Sequence, residues 1–154
     1  MYEPFFHVGV LVKDIEAAAA DFTALLGVEF EPVRSQQIHN GETIRLCYSL
    51  QGSPYLELME MTGTGSWSPE HPEGFHHIGV SGPDVPGRCR AFDGRVDAIT
   101  QAGDGSPLVV LTRPEVLHGI CVEYFDASVA TQFLGYLRSR TATLDGAAGE
   151  ADNQ

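Results

Sequence analysis

Residues 5–12 are apolar at almost every position, the pattern of a strand covered on both faces. The next stretch changes period. Asp14 can cap a helix, Glu16 lies in its first turn, and Ile15, Ala18, Ala19, Phe22, Leu25 and Leu26 fall on one helical face before Gly27 stops it. Stretches 28–33, 43–50 and 54–61 return to strand patterns, with polar, turn-like residues at 35–42 and 51–53. The expected order is strand, helix, three strands. It recurs more faintly as a strand at 75–81, a helix over 84–92 weakened by Pro86 and Gly87, and strands at 96–99, 108–112 and 119–125. A short helix is expected at 129–137, and the small, acidic stretch 142–154 is expected to be disordered.

The recurrence is also one of residues. Phe6-His7-Val8-Gly9-Val10 returns as His76-His77-Ile78-Gly79-Val80, and the strand holding Glu57 resembles the strand holding Glu123. The offsets are 70 and 66 residues, in the same order, which points to a duplicated unit of about 65–70 residues. The chain therefore reads as α+β, with two tandem βαβββ modules at about 5–61 and 75–126 forming one domain over 1–128. The connection 62–74 is rich in Gly, Ser and Pro and carries Trp67, the single tryptophan. It reads either as a plain linker or as a loop over a site.

Alternation along a strand decides which side chains meet. His7 shares a face with Phe5, Gly9 and Leu11, and His77 with Phe75, Gly79 and Ser81. Glu57 lies with Tyr55 and Met59, and Glu123 with Cys121 and Phe125. A carboxylate among apolar strand residues is costly unless it is paired or bound to a metal. The glycine two positions after each histidine leaves room beside the imidazole. Packing of the modules with pseudo-twofold symmetry would bring all four polar groups to one point. Singly, a strand histidine is more often a hydrogen-bonded core residue and a strand glutamate a solvated one. Their joint placement by a repeat favours a site for one divalent metal ion. Two imidazoles and two carboxylates suit Zn, Ni, Co, Mn or Fe, with positions open for water or substrate.

Charge narrows the partners. Nine Lys and Arg against 21 Asp and Glu give a net charge of −12, with one lysine, Lys13, and scattered arginines. Nucleic acid and anionic membranes are disfavoured, because both need clustered positive charge. No uncharged apolar run approaches the roughly 20 residues that cross a bilayer. The first residues lack the basic and apolar segments of a signal peptide. Cys47, Cys89 and Cys121 form no CxxC pair and suit a reducing compartment, so a cytoplasmic protein with a small-molecule substrate is expected.

The run from His7 to Glu16, continuing to Leu25-Leu26-Gly27, resembles the opening of the vicinal-oxygen-chelate proteins, the glyoxalase/bleomycin-resistance/dioxygenase superfamily. Leu56-Glu57-Leu58-Met59-Glu60 and Glu73-Gly74-Phe75-His76-His77-Ile78-Gly79-Val80 resemble middle motifs of its methylmalonyl-CoA epimerase-like branch, and Val122-Glu123-Tyr124 its final strand. The resemblance covers about 5–126. It implies a cupped mixed sheet around a metal held by His7, Glu57, His77 and Glu123, with His76 on the other strand face and not a ligand. Glu57 makes the set similar to glyoxalase I and the epimerases rather than to extradiol dioxygenases, which use two His and one carboxylate.

The implied activity is non-redox proton transfer next to a carbonyl by an epimerase, isomerase or glyoxalase-like lyase acting on a small carbonyl compound or thioester. Glu57 and Glu123 are its candidate catalytic carboxylates. The alternatives are an Fe(II) dioxygenase of the same fold and a metal-free binding or resistance protein. Arg45 or Glu42 falls near the second acid/base position of some epimerases. An arginine is no base at neutral pH but can hold a carboxylate. Arg45, Tyr48, Trp67 and Phe125 are the candidate substrate contacts, and Tyr55 and Phe75 further candidates for an apolar wall. His118 sits beside a turn, and His39 and His71 lie in polar loops. A homodimer is expected, with the site formed within one chain or across the dimer.

Overall fold

The computed structural model describes residues 5–37 and 41–151. Module one consists of β1 (Phe5–Val12), α1 (Ile15–Leu26), β2 (Arg34–Gln37), β3 (Thr43–Tyr48) and β4 (Tyr55–Glu60). Module two repeats the order with β5 (Gly74–Gly82), α2 (Val85–Ala91), β6 (Val96–Gln101), β7 (Pro107–Thr112) and β8 (Cys121–Asp126), and α3 (Ala127–Ala151) follows. The eight strands form one curled sheet in the order β2-β3-β4-β1-β5-β8-β7-β6. β1 runs parallel to β4, β5 parallel to β8, and β1 antiparallel to β5, so the sheet reads the same from either edge. The central strands carry the continuous apolar runs because both their faces are covered.

The two helices cover the convex face. Asp14 accepts the Ala17 N–H at 2.9 Å and Asp84 the Gly87 N–H at 2.8 Å, so each module starts its helix with the same cap. Pro86 falls in the first turn of α2, where its missing N–H costs nothing, and the helix forms despite it. Ile15 and Val85, the first residues of their helices, are fully buried. Each contributes roughly 1.5–3 kcal/mol by that burial. Ile15 packs with Val12, Cys47 and Leu58, and Val85 with Val110 and Tyr124.

Four expectations need correction. The strand expected at 28–33 is an extended connection in which only Phe30 makes a bridge, to Ser49, while the ladder forms at Arg34–Gln37, inside the stretch read as a turn. β2 is an edge strand with solvated side chains, so it lacks the apolar alternation that would mark it. The apolar stripe of α1 is buried only at its start. Leu25 and Leu26 are 80% and 69% exposed. α3 runs beyond the expected 129–137 segment through 151, over part of the stretch read as disordered, and its Ala130, Phe133, Leu134 and Leu137 pack into the domain. His76 does not lie cleanly on the far face of β5. The β1–β5 register shifts between Gly9–His77 and Val10–Phe75, leaving His76 unpaired with its ring 6.1 Å from Trp67.

Candidate metal centre

Two rows of paired residues cross the sheet. One runs Tyr48, Glu57, Gly9, His77, Cys121 through β3, β4, β1, β5 and β8. The other runs Leu111, Glu123, Gly79, His7, Tyr55 through β7, β8, β5, β1 and β4. The duplication thus sets each histidine directly opposite the other module's glycine. A Cβ on Gly79 would lie 1.9 Å from His7 Cε1, and one on Gly9 2.1 Å from His77 Cε1. The space expected beside each imidazole is filled by the imidazole of the other module. Each glycine is needed for that close approach.

The four side chains meet on the concave face. His7 Nε2 stands 2.9 Å from His77 Nε2, 3.1 Å from Glu123 Oε2 and 3.7 Å from Glu57 Oε2. His77 Nε2 stands 3.2 Å from Glu57 Oε2 and 3.4 Å from Glu123 Oε2. Donors bound to one cation at about 2.1 Å lie roughly 3.0–3.4 Å apart, so this spacing fits a shared divalent ion. The donor set is also one that Zn, Ni, Co, Mn or Fe accepts. His7 Nδ1 is buried with no partner among the described residues, leaving its Nε2 as the only nitrogen with polar company.

The electrostatics are those of a buried ion-pair cluster. Burial works against a charged His77, but hydrogen bonds to Glu123 and Glu57 outweigh it and raise its pKa to about 10. Burial likewise works against an ionised Glu123, and bonds from His7 and His77 overcome it and hold the carboxyl far below its ordinary range. Tyr48 donates its hydroxyl to Glu57 Oε1. Burial, with Glu57 and Glu123 nearby, keeps that phenol protonated well above its usual range. His76 Nδ1 meets His77 Nδ1 at 2.9 Å, and burial lowers the His76 pKa to about 4, so His76 is neutral at pH 7.

A cavity of about 300 Å³ opens onto the cluster, and Tyr48, Trp67 and Phe125 are among the residues that line it. Trp67 sits in a short 3-10 turn, Gly65–Trp67, and is buried, so the 62–74 connection contributes this side chain to the cavity wall, while its Gly65, His71 and Pro72 line a separate cavity. Arg45 is a correction. It pairs with Glu60, at 3.0 Å and 3.1 Å, and with Glu16 of α1, on the helix side of the sheet. Arg45 and Tyr48 are three apart on one strand and cannot share a face. Glu42 is tied to the loop by the Thr64 hydroxyl at 2.9 Å. Tyr55 is buried outside the cavity lining, and Phe75 is 52% exposed and borders a separate cavity with His71 and His76. His118 is exposed and lines neither cavity, and His39 lies outside the described residues.

Sequence reasoning missed the residues that close the cup. Phe133 of α3 lies 4.9 Å from the Tyr48 ring, 6.2 Å from Phe125 and 6.3 Å from His7 (centroid to centroid). Tyr136 also lines the cavity and donates to the buried Glu31 at 2.5 Å. Arg34 and Gln36 line it from β2. The helical period marks 129–137 as a helix but carries no sign of where it docks. The polar edge strand has no apolar alternation to mark the face of Arg34.

Residues 6–95 match the model of the Glyoxalase/Bleomycin resistance protein/Dioxygenase superfamily, a span holding His7, Glu57 and His77 but not Glu123. No curated protein matches the chain significantly in sequence. Among solved structures, a hypothetical protein from Bacillus halodurans C-125 is similar at 17% identity and TM-score 0.60, covering 82% of this chain and 95% of that one. A variant of Streptomyces coelicolor methylmalonyl-CoA epimerase, in complex with 2-nitronate-propionyl-CoA, is similar at 24% identity and TM-score 0.58, covering 79% and 95%. The Mycobacterium tuberculosis methylmalonyl-CoA epimerase is similar at 18% identity and TM-score 0.55, covering 82% and 91%. At these identities the likeness is one of fold. Among the described residues no helix is long and apolar enough to cross a membrane.

Proposed function

We propose that this chain, which belongs to the Glyoxalase/Bleomycin resistance protein/Dioxygenase superfamily, is a metal-dependent, non-redox enzyme that moves a proton next to the carbonyl of a small compound or thioester, as an epimerase, isomerase or glyoxalase-like lyase. The observation that carries this reading is the convergence of His7, Glu57, His77 and Glu123 from two duplicated modules, with donor atoms within 4.8 Å of one another. These four residues would hold the ion. A divalent metal bound there supplies Lewis-acid polarisation of a carbonyl oxygen without changing its own oxidation state.

The two glutamates are not equivalent. Glu57 accepts from the Tyr48 hydroxyl, and its side chain is 6% exposed. Leu111 takes the place of Tyr48 opposite Glu123, whose side chain is 24% exposed on the cavity. The tyrosine holds Glu57 in place, while among the described residues Glu123 has only the histidines to hold it. Glu123 is therefore the better candidate to take a proton from the carbon next to a carbonyl and return it. Phe125 and Phe133 beside His7 keep water from the reacting carbon. Three free cysteines accord with a cytoplasmic setting, and the homodimer belongs to the same proposal, to be refuted by sedimentation as a monomer.

Deuterium wash-in tests the activity. Metal-loaded protein in D2O is offered methylmalonyl-CoA, the hemithioacetal of methylglyoxal and glutathione, and small keto acids, with proton NMR following the carbon next to the carbonyl. Exchange that needs metal and is lost in Glu123→Gln is expected. No exchange with any compound, together with oxygen uptake on a catechol with Fe(II), would move the assignment to a dioxygenase.

A further inference from the structure

The modules have diverged where they face the cavity. Tyr48 and Leu111 pair with Glu57 and Glu123, Leu46 and Val109 pair with Met59 and Phe125, and Arg34 and Thr100 pair in turn with Leu46 and Val109. Arg34 is thus the counterpart of Thr100, and Tyr48 of Leu111, and all four line the cavity. One wall carries a guanidinium and a phenol where the other carries a small alcohol and an aliphatic chain. A duplicated metal site needs no such difference, so the difference points to the ligand.

Arg34 is the only Lys or Arg among the described residues that line this cavity. Its Nε lies 3.4 Å from Glu31 Oε1, and its Nη1 donates to Gln36 Oε1 at 2.5 Å. Nη2 has no partner among the described residues. Glu31 does not neutralise this cation alone, because its carboxylate also serves Arg140 at 3.7 Å, the Tyr136 hydroxyl and the Tyr48 N–H at 3.3 Å. Two guanidiniums on one carboxylate leave one positive charge at this end. The guanidinium carbon lies 5.9 Å from the centre of the Tyr48 ring, and the hydroxyl of that ring reaches Glu57, so the cation stands one tyrosine away from the cluster.

We propose that the substrate is a small carbonyl compound bearing a carboxylate, which Arg34 holds, with its apolar part against Val109, Leu111 and Phe125. This rests on the reading of the His/Glu cluster as the carbonyl site. An arginine fork is the side chain best matched to a carboxylate. A cavity of about 300 Å³, walled on one side by Phe133 and Tyr136, is at the small end of ligand sites, which favours a free acid over a carrier-bound thioester.

The test uses acetoacetate, levulinate and phenylpyruvate, each against its methyl ester, in ligand-observed NMR titrations. Wild type, Arg34→Gln and Arg34→Lys are compared, zinc-loaded and after EDTA. At least one acid should bind zinc-loaded wild type roughly tenfold or more tightly than its ester, the worth of a charge-assisted hydrogen bond. That preference should vanish in Arg34→Gln and partly return in Arg34→Lys, with zinc content unchanged in both. Equal binding of acids and esters, no binding by any acid, or a preference that survives Arg34→Gln would overturn the proposal. Failure of the underlying reading looks different: zinc content near zero, or acid binding that depends on Arg34 but is indifferent to EDTA.

Discussion

Gly79→Ala should empty the metal site without touching a ligand. The added methyl would sit 1.9 Å from His7 Cε1, 2.0 Å from Nδ1 and 2.6 Å from Nε2. Ordinary carbon contacts are about 3.5–4.0 Å, so the ring must retreat by roughly 1.5–2 Å. His7 is completely buried, with Phe6, Phe125 and Phe133 at 4.7, 5.7 and 6.3 Å, so there is nowhere for it to go without moving the core. Overpacking of this kind costs about 1–3 kcal/mol, or roughly 2–12 °C in Tm for a domain of this size. The effect on the ion is larger. Ligand distances hold to about 0.2 Å, and loss of a supporting contact alone costs about 10–100-fold in affinity. Displacing His7 itself should cost at least about a hundredfold. Gly9→Ala, whose methyl would meet His77, should match it. Gly103→Ala, with nothing within 4 Å and no left-handed backbone, is the control and should change neither quantity. Zinc competition against a chromogenic chelator reads the affinity, and thermal melts read the stability. An unchanged zinc curve in Gly79→Ala would refute the idea that this glycine exists to admit the imidazole.

Tyr48→Phe removes the donor to the buried Glu57 and should lower stability by about 1–3 kcal/mol in denaturant melts, with weaker zinc retention in the same competition assay. Arg45→Ala should lower Tm yet leave zinc content and ligand binding unchanged, because its partners Glu16 and Glu60 lie on the helix side of the sheet. In metal-free protein the raised pKa of His77 supplies stability that is complete below about pH 6.5 and is lost as pH rises towards about 10. The lowered pKa of Glu123 supplies stability present above about pH 4.5 and lost in stronger acid. Melts of EDTA-treated protein should therefore fall on the alkaline side, and His77→Gln should remove that fall.

The duplication carried most of what was legible. A histidine and a later glutamate recurring at nearly one offset pointed to two tandem modules and, on packing with pseudo-twofold symmetry, to one place for His7, Glu57, His77 and Glu123, while the cupped sheet was implied by the family resemblance. What escaped was whatever breaks the regular pattern. His76 is displaced by a register shift that leaves no mark in the apolar pattern. Arg34 lies on an edge strand where three of four side chains are solvated, so period two is silent there, whereas Arg45, named from the likeness to some epimerases, alternates onto the helix side of the sheet. The docking of α3 depends on Phe133 and Leu137 finding the open cup. A helical period predicts the helix but not its partner.

Metal content per chain, measured by elemental analysis on wild type, His77→Ala and Glu123→Ala, tests the centre most directly. About one tightly held Zn, Ni, Co, Mn or Fe per wild-type chain, lost in both variants while their folds persist by circular dichroism, is the expected result. Wild type that holds no metal after reconstitution, or variants that keep it, would contradict the assignment of His7, Glu57, His77 and Glu123 as its ligands.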